Sequence, residues 1–127
     1  MTQILLDTNV YISFFVDRDK AQKEIAVKYF SKLEKKEIEV ILPALILAEI
    51  VYVLSEYYNF EREKIVYSLA SIVSEENLIM KNKDIILTTL EIFRESSLDF
   101  ADAYLLAFKE HKNCELITFD KKLQNKA

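Results

Sequence analysis

An α/β fold built on a parallel sheet is what this sequence predicts, and three observations predict it. Short apolar runs, at residues 4–6, 38–42, 78–80 and 114–119, alternate with longer stretches whose apolar residues recur at helical spacing. The first run, Ile4-Leu5-Leu6, has no polar alternation, as in strands buried on both faces. Strands separated by helices imply right-handed crossovers, hence a parallel sheet of about four strands covered by helices on both sides.

Each element has its own justification. After the first strand, residues 9–15 continue as a short helix with Thr8 or Asn9 as N-cap. Asp17-Arg18-Asp19 reads as a loop. Residues 20–36 carry the stripe Ile25, Ala26, Tyr29, Phe30 and Leu33 under a lysine-rich outer face. The second strand covers 38–42, and Pro43 suits the first turn of a helix reaching about Tyr58. Asn59-Phe60 breaks before a helix at 61–74, with Ile65, Leu69, Ile72 and Val73 inward. A weak strand at 78–80 precedes a helix at 82–94, with Ile85, Ile86, Leu90 and Phe93 on its apolar side. Ser96, Ser97 or Asp99 caps a sixth helix ending near His111. The last strand, 114–119, runs into Asp120 and a lysine-rich tail.

Composition narrows the function. The 127 residues suit one domain, and 51% apolar with 30% charged residues is ordinary globular composition. A net charge of −4 argues against a broad basic surface for nucleic acid, although clustered lysines leave room for a local basic rim. The single cysteine, Cys114, forbids an internal disulfide and fits a reducing compartment. With no visible signal peptide and no run long enough to span a bilayer, a soluble, cytoplasmic protein is expected. Glycine is absent, so no phosphate-binding or dinucleotide glycine loop exists. With one histidine and one cysteine, a zinc site lacks ligands, and any catalysis falls to carboxylates.

Two strands end in an acid, at Leu6-Asp7 and Phe119-Asp120. In a parallel sheet these acids share one edge, where open α/β sheets place ligands. Each can equally be a helix cap or turn residue. Glu49 interrupts Ala44 to Leu54, a helix apolar all round, which implies burial in the core or in a subunit interface. A carboxylate there needs a metal or a partner; the alternatives are a solvated gap or a lysine pair. Asp99 and Asp102 share the first turn of the sixth helix, where Asp99 as N-cap places Asp102 at the third position. Taken together, clustered carboxylates raise one another's pKa unless a cation neutralises them, and hard oxygen ligands suit Mg²⁺ or Mn²⁺. Phosphodiester hydrolysis is the chemistry such a site fits.

Leu5-Leu6-Asp7-Thr8-Asn9, the helix start from Pro43 to Glu49, Asp99-Phe100-Ala101-Asp102-Ala103 and Thr118-Phe119-Asp120 together resemble the PIN domain. Within it, they are similar to the VapC-like toxin nucleases of toxin–antitoxin pairs. The motifs fall in the family's order and span almost the whole chain. The resemblance implies a three-layer α/β/α sandwich as a single domain over 1–127, and a metal-dependent endoribonuclease acting on RNA. It makes Asp7, Glu49, Asp102 and Asp120 the four acids of an Mg²⁺ or Mn²⁺ site. Asp102 takes the third place rather than Asp99 because it directly precedes Ala103. Thr8, Asn9 and Thr118 match supporting residues, and Asp99 stands beside them as cap or support. A homodimer and a small antitoxin partner are also implied. Many relatives continue beyond the point where this chain ends, leaving the last strand's neighbour open, and the missing glycines imply turns of different backbone geometry.

Other residues have simpler readings. His111 suits the negative end of its helix, and Cys114 suits the core. Tyr11, Phe14 and Phe15 can stack a base but read first as packing, and the lysines of the second helix as a solvated face. Two competing functions stay in view: a catalytically inactive PIN-fold interaction module, and a PIN nuclease of RNA processing rather than a toxin. A haloacid dehalogenase-type phosphatase also opens with an apolar strand and Asp, but it wants a second Asp where this chain has Asn9.

Overall fold

The computed structural model describes residues 1–127. Along the chain run β1 (Gln3–Leu5), α1 (Thr8–Phe15), α2 (Lys20–Glu34), β2 (Glu39–Ile41), α3 (Ala44–Glu56), α4 (Arg62–Val73), β3 (Leu78–Ile79), α5 (Lys83–Glu95), α6 (Phe100–Lys112) and α7 (Lys121–Lys126). The three strands form one parallel sheet in the order β1-β2-β3, with Val40 opposite both Ile4 and Leu78. Parallel neighbours need a crossover. Here α1 with α2 supplies the first and α3 with α4 the second. The expected α/β class is therefore the observed one.

The chain divides into two compact units, Met1–Lys81 and Asn82–Ala127. In the first, α1 packs against α2 and α3, and α3 against α4. The interior holds Ile12, Leu33, Val40, Leu47, Ile50, Leu54, Ile65 and Leu69, all essentially inaccessible. Burying each such side chain contributes roughly 1.5–3 kcal/mol. Tyr11 is buried against Phe30, their rings 5.3 Å apart, and Phe14 also stacks on Phe30 at 4.4 Å. Packing is thus the role of both aromatics. In the second unit, α5 lies along α6 with Phe93 edge-on to Phe100 at 5.7 Å. Leu98, Leu106 and Leu123 form a core cluster supported by Ile92 and Leu116.

Four expectations need correction. Residues 114–119 form no strand and enter no ladder, so the sheet has three strands rather than about four. An apolar run becomes a strand only by pairing, and here the local hydrogen bonds go elsewhere. The Gln124 side chain donates to the Thr118 carbonyl at 2.6 Å, and Phe119 is 98% exposed. Cys114, expected in the core, is exposed with that segment. β1 is an edge strand, so Leu5 is 69% exposed instead of buried on both faces. The lysine-rich tail is a helix, α7, because Asp120 caps it and Leu123 anchors it in the core cluster.

The absence of glycine has a different solution from the one expected. Left-handed backbone occurs at Lys36, Asn59, Asn82 and Asn113, with φ between 50° and 61°. The turns keep the geometry glycine usually supplies. Asparagine, the residue that tolerates it next best, takes over at three of the four positions.

Candidate active site

β1 delivers the chain to Asp7, and the backbone there is extended (φ −73°, ψ 158°) before α1 begins. Asp7 Oδ1 accepts the Asn9 amide at 2.9 Å, so Asp7 is itself the N-cap, one residue earlier than expected. A carboxylate there meets the positive end of the helix. Asp7 and Asn9 remain exposed, while Thr8 turns inward and is buried.

Glu49 departs from the sequence reading. The buried stripe of α3 is Leu47, Ile50, Val51 and Leu54, and Glu49 lies on the opposite, exposed face. That face also carries Leu45, 79% exposed, and Tyr52, 55% exposed. A helix apolar on every side need not be buried on every side; the carboxylate marks the side left to solvent. The solvated reading of Glu49 describes the single chain.

In the second unit three acids gather at two helix starts. Asp99 caps α6 by accepting the Asp102 amide at 2.9 Å, and Asp120 caps α7 by accepting the Leu123 amide at 3.0 Å. Thr118 Oγ1 accepts the Asp120 amide at 3.1 Å and fixes the approach to that cap. Asp102 is half-buried in the first turn of α6. Partial burial, then the charges of Asp99 and Asp120, raise its carboxyl pKa above the ordinary value, while Lys122 opposes them. Lys122 is itself held by the Ser97 carbonyl at 2.9 Å.

Of the residues singled out in the sequence, Asp7, Thr8, Asn9 and Glu49 belong to the first unit, and Asp99, Asp102, Thr118 and Asp120 to the second. Within either unit taken alone, no three Asp, Glu, His or Cys side chains stand close enough to hold a metal ion. The donor set still suits a hard divalent cation. It is all carboxylate, and in the second unit it is electrostatically crowded.

One residue near this site went unnoticed in the sequence. Arg18 follows α1 and folds back on it, Nε donating to Ser13 Oγ at 3.1 Å and Nη2 to the Asn9 carbonyl at 3.0 Å. In sequence, Asp17-Arg18-Asp19 reads only as a loop. By contrast, His111 does lie in the last turn of α6, where Nε2 meets Thr88 Oγ1 at 2.8 Å. No helix is long and apolar enough to cross a membrane.

A sequence model of the PIN domain family matches residues 4–127. The chain belongs to the PIN domain family. The match contains every acid named above. This PIN domain is also 26% identical over 98 residues to a VapC ribonuclease of Aquifex aeolicus (strain VF5), covering 77% of this chain and 72% of that relative. The α/β class and the parallel sheet accord with an α/β/α sandwich of the PIN type.

Proposed function

We propose that this PIN domain is an endoribonuclease that hydrolyses RNA phosphodiester bonds with Mg²⁺ or Mn²⁺, and that it is the toxin of a type II toxin–antitoxin pair. The observation that carries the reading is Asp102, a half-buried carboxylate pressed by Asp99 and Asp120, in a chain whose family match runs from residue 4 to 127. The similarity to a VapC ribonuclease supports RNA as substrate; a small antitoxin as partner rests on the resemblance of the motifs to toxin nucleases. The same match supports treating residues 1–127 as a single PIN domain.

In this reading Asp7, Glu49, Asp102 and Asp120 hold the ion. When bound, the ion polarises the phosphoryl oxygen and activates water. Thr118 orients Asp120 through the backbone amide, and Asn9 does the same for Asp7 through its own amide. Asp99 sets the first turn of α6 and keeps negative charge beside Asp102. Thr8, buried behind Asp7, supports the start of α1. The exposed apolar side chains Leu45 and Tyr52, flanking Glu49, suit a homodimer contact along α3.

The purified protein should cleave single-stranded RNA with Mn²⁺ and lose that activity in EDTA. Asp7→Asn and Asp102→Asn should each abolish cleavage. Equal cleavage by both variants would instead assign the activity to a contaminating nuclease. A second reading, a catalytically inactive interaction module, draws support from the capping duties of Asp7, Asp99 and Asp120. It expects no rise in melting temperature on adding Mn²⁺, whereas the nuclease reading expects one.

A further inference from the structure

The groove between α1 and α2 holds a cation that no acid neutralises. Arg18 is exposed, yet tied on one side by Ser13 Oγ and the Asn9 carbonyl. Ser13 is buried, and its hydroxyl donates to Gln22 Oε1 at 3.2 Å, which ties the anchor to α2. The acids on either side are engaged elsewhere. Asp17 pairs with Lys23, and Asp19 caps α2 by accepting the Gln22 amide at 2.8 Å.

A guanidinium has five N–H donors, and these ties use two. The remainder form a planar fork suited to two oxygens of one anion. Two open hollows meet at Arg18 and Asp19. One, of about 510 Å³, is lined by Asn9, Val10, Ser13 and Gln22; the other, of about 680 Å³, by Lys20 and Lys23 but also by Asp17 and Glu24, so the phosphate is assigned to the first. The first begins at the turn that Asp7 caps. Resting on the ribonuclease reading above, we infer that Arg18 is a substrate-binding residue that grips a phosphodiester of single-stranded RNA flanking the bond to be cut. A bare arginine pinned beside Asn9 has no structural need for its remaining donors. A strand approaching Asp7 along α1 brings phosphates to them.

The test compares wild type, Arg18→Lys and Arg18→Gln in Mn²⁺-supported cleavage of a single-stranded oligoribonucleotide, with binding of the same oligonucleotide followed by fluorescence anisotropy across potassium chloride concentrations. Arg18→Gln should raise KM roughly fivefold or more with kcat unchanged. The slope of log affinity against log salt should become shallower by about 0.7, the value of one phosphate contact on a single strand. Arg18→Lys keeps the charge and should restore the slope, but only part of the KM, because the planar fork is lost. If Lys and Gln behave alike, or KM and slope stay at wild-type values, Arg18 is only a tie between loop and helix and the inference fails. Loss of binding to poly-glutamate with unchanged KM for RNA would overturn it in favour of an acidic protein partner. A wild type that cleaves nothing but binds RNA with an Arg18-dependent slope would sink the nuclease reading and keep Arg18 as an RNA phosphate contact alone.

Discussion

Asp99 Oδ1 accepts the backbone amide of Asp102 at 2.9 Å, so two acids in one helical turn have different duties. Asp99 satisfies an otherwise orphaned helix donor. Asp102 contributes no cap of its own. Asp99→Ala should therefore cost about 1 kcal/mol of stability in urea unfolding, and Asp99→Asn much less, since asparagine caps nearly as well. Equal losses for the two would show that the charge, not the cap, carries the effect.

Asp102 should respond in the opposite sense. Its carboxyl pKa is raised in the folded chain, by partial burial first and by Asp99 and Asp120 next. The folded state then holds the proton more tightly than the unfolded one. Ionisation costs stability as pH rises through the ordinary carboxylate range, and the cost is complete above the raised folded value. In metal-free protein, Asp102→Asn should be unchanged or modestly stabilised at neutral pH, solvent screening keeping the effect small. The difference should vanish well below about pH 4, where both states are protonated. Under the proposed metal chemistry, Mn²⁺ should raise the melting temperature of wild type and not of the variant. A clear loss of metal-free stability at neutral pH would make Asp102 a structural residue.

The helices before α7 were legible because apolar spacing marks them and, at α6, the capping residue agrees. The stripe Ile85, Ile86, Leu90 and Phe93 is buried along α5, and Asp99 caps α6 with Asp102 at the third position. What sequence pattern misjudged was burial wherever it depends on a neighbour rather than on the element itself. Leu5 is apolar but lies on an edge strand, and Ile117 and Phe119 belong to an apolar run that joins no ladder. Glu49 shows the same limit, since ten apolar residues around one acid do not say which face is covered. Arg18 escaped notice because Asp17-Arg18-Asp19 reads only as a loop, and its partners lie elsewhere in the chain. The fold gives those acids to Lys23 and to the cap of α2.

Tyr11 carries a hydroxyl with no hydrogen-bond partner in a fully buried position. Burial alone pushes its pKa up, so the phenol stays neutral throughout the useful pH range. An unsatisfied buried hydroxyl costs about 1–3 kcal/mol. Tyr11→Phe keeps the ring against Phe30 and removes that cost. The variant should be at least as stable as wild type in urea, with an expected gain of about 1 kcal/mol. A loss of similar size would mean the hydroxyl is bonded in solution.

Asn113 ends α6 in the left-handed region (φ 50°, ψ 48°), its amide donating to the Lys109 carbonyl. The sequence offers no glycine for this place, and a side chain there must avoid the following carbonyl. Asparagine does so because its short polar group tolerates the conformation, whereas a β-branched residue crowds it. Asn113→Val should therefore destabilise by about 1–2 kcal/mol. Asn113→Gly should stay within roughly 0.5 kcal/mol, its steric relief offset by extra freedom in the unfolded chain. Urea unfolding of the two variants separates a backbone requirement from a side-chain contact. If glycine costs as much as valine, the asparagine amide itself holds the end of α6 and the left-handed turn is incidental.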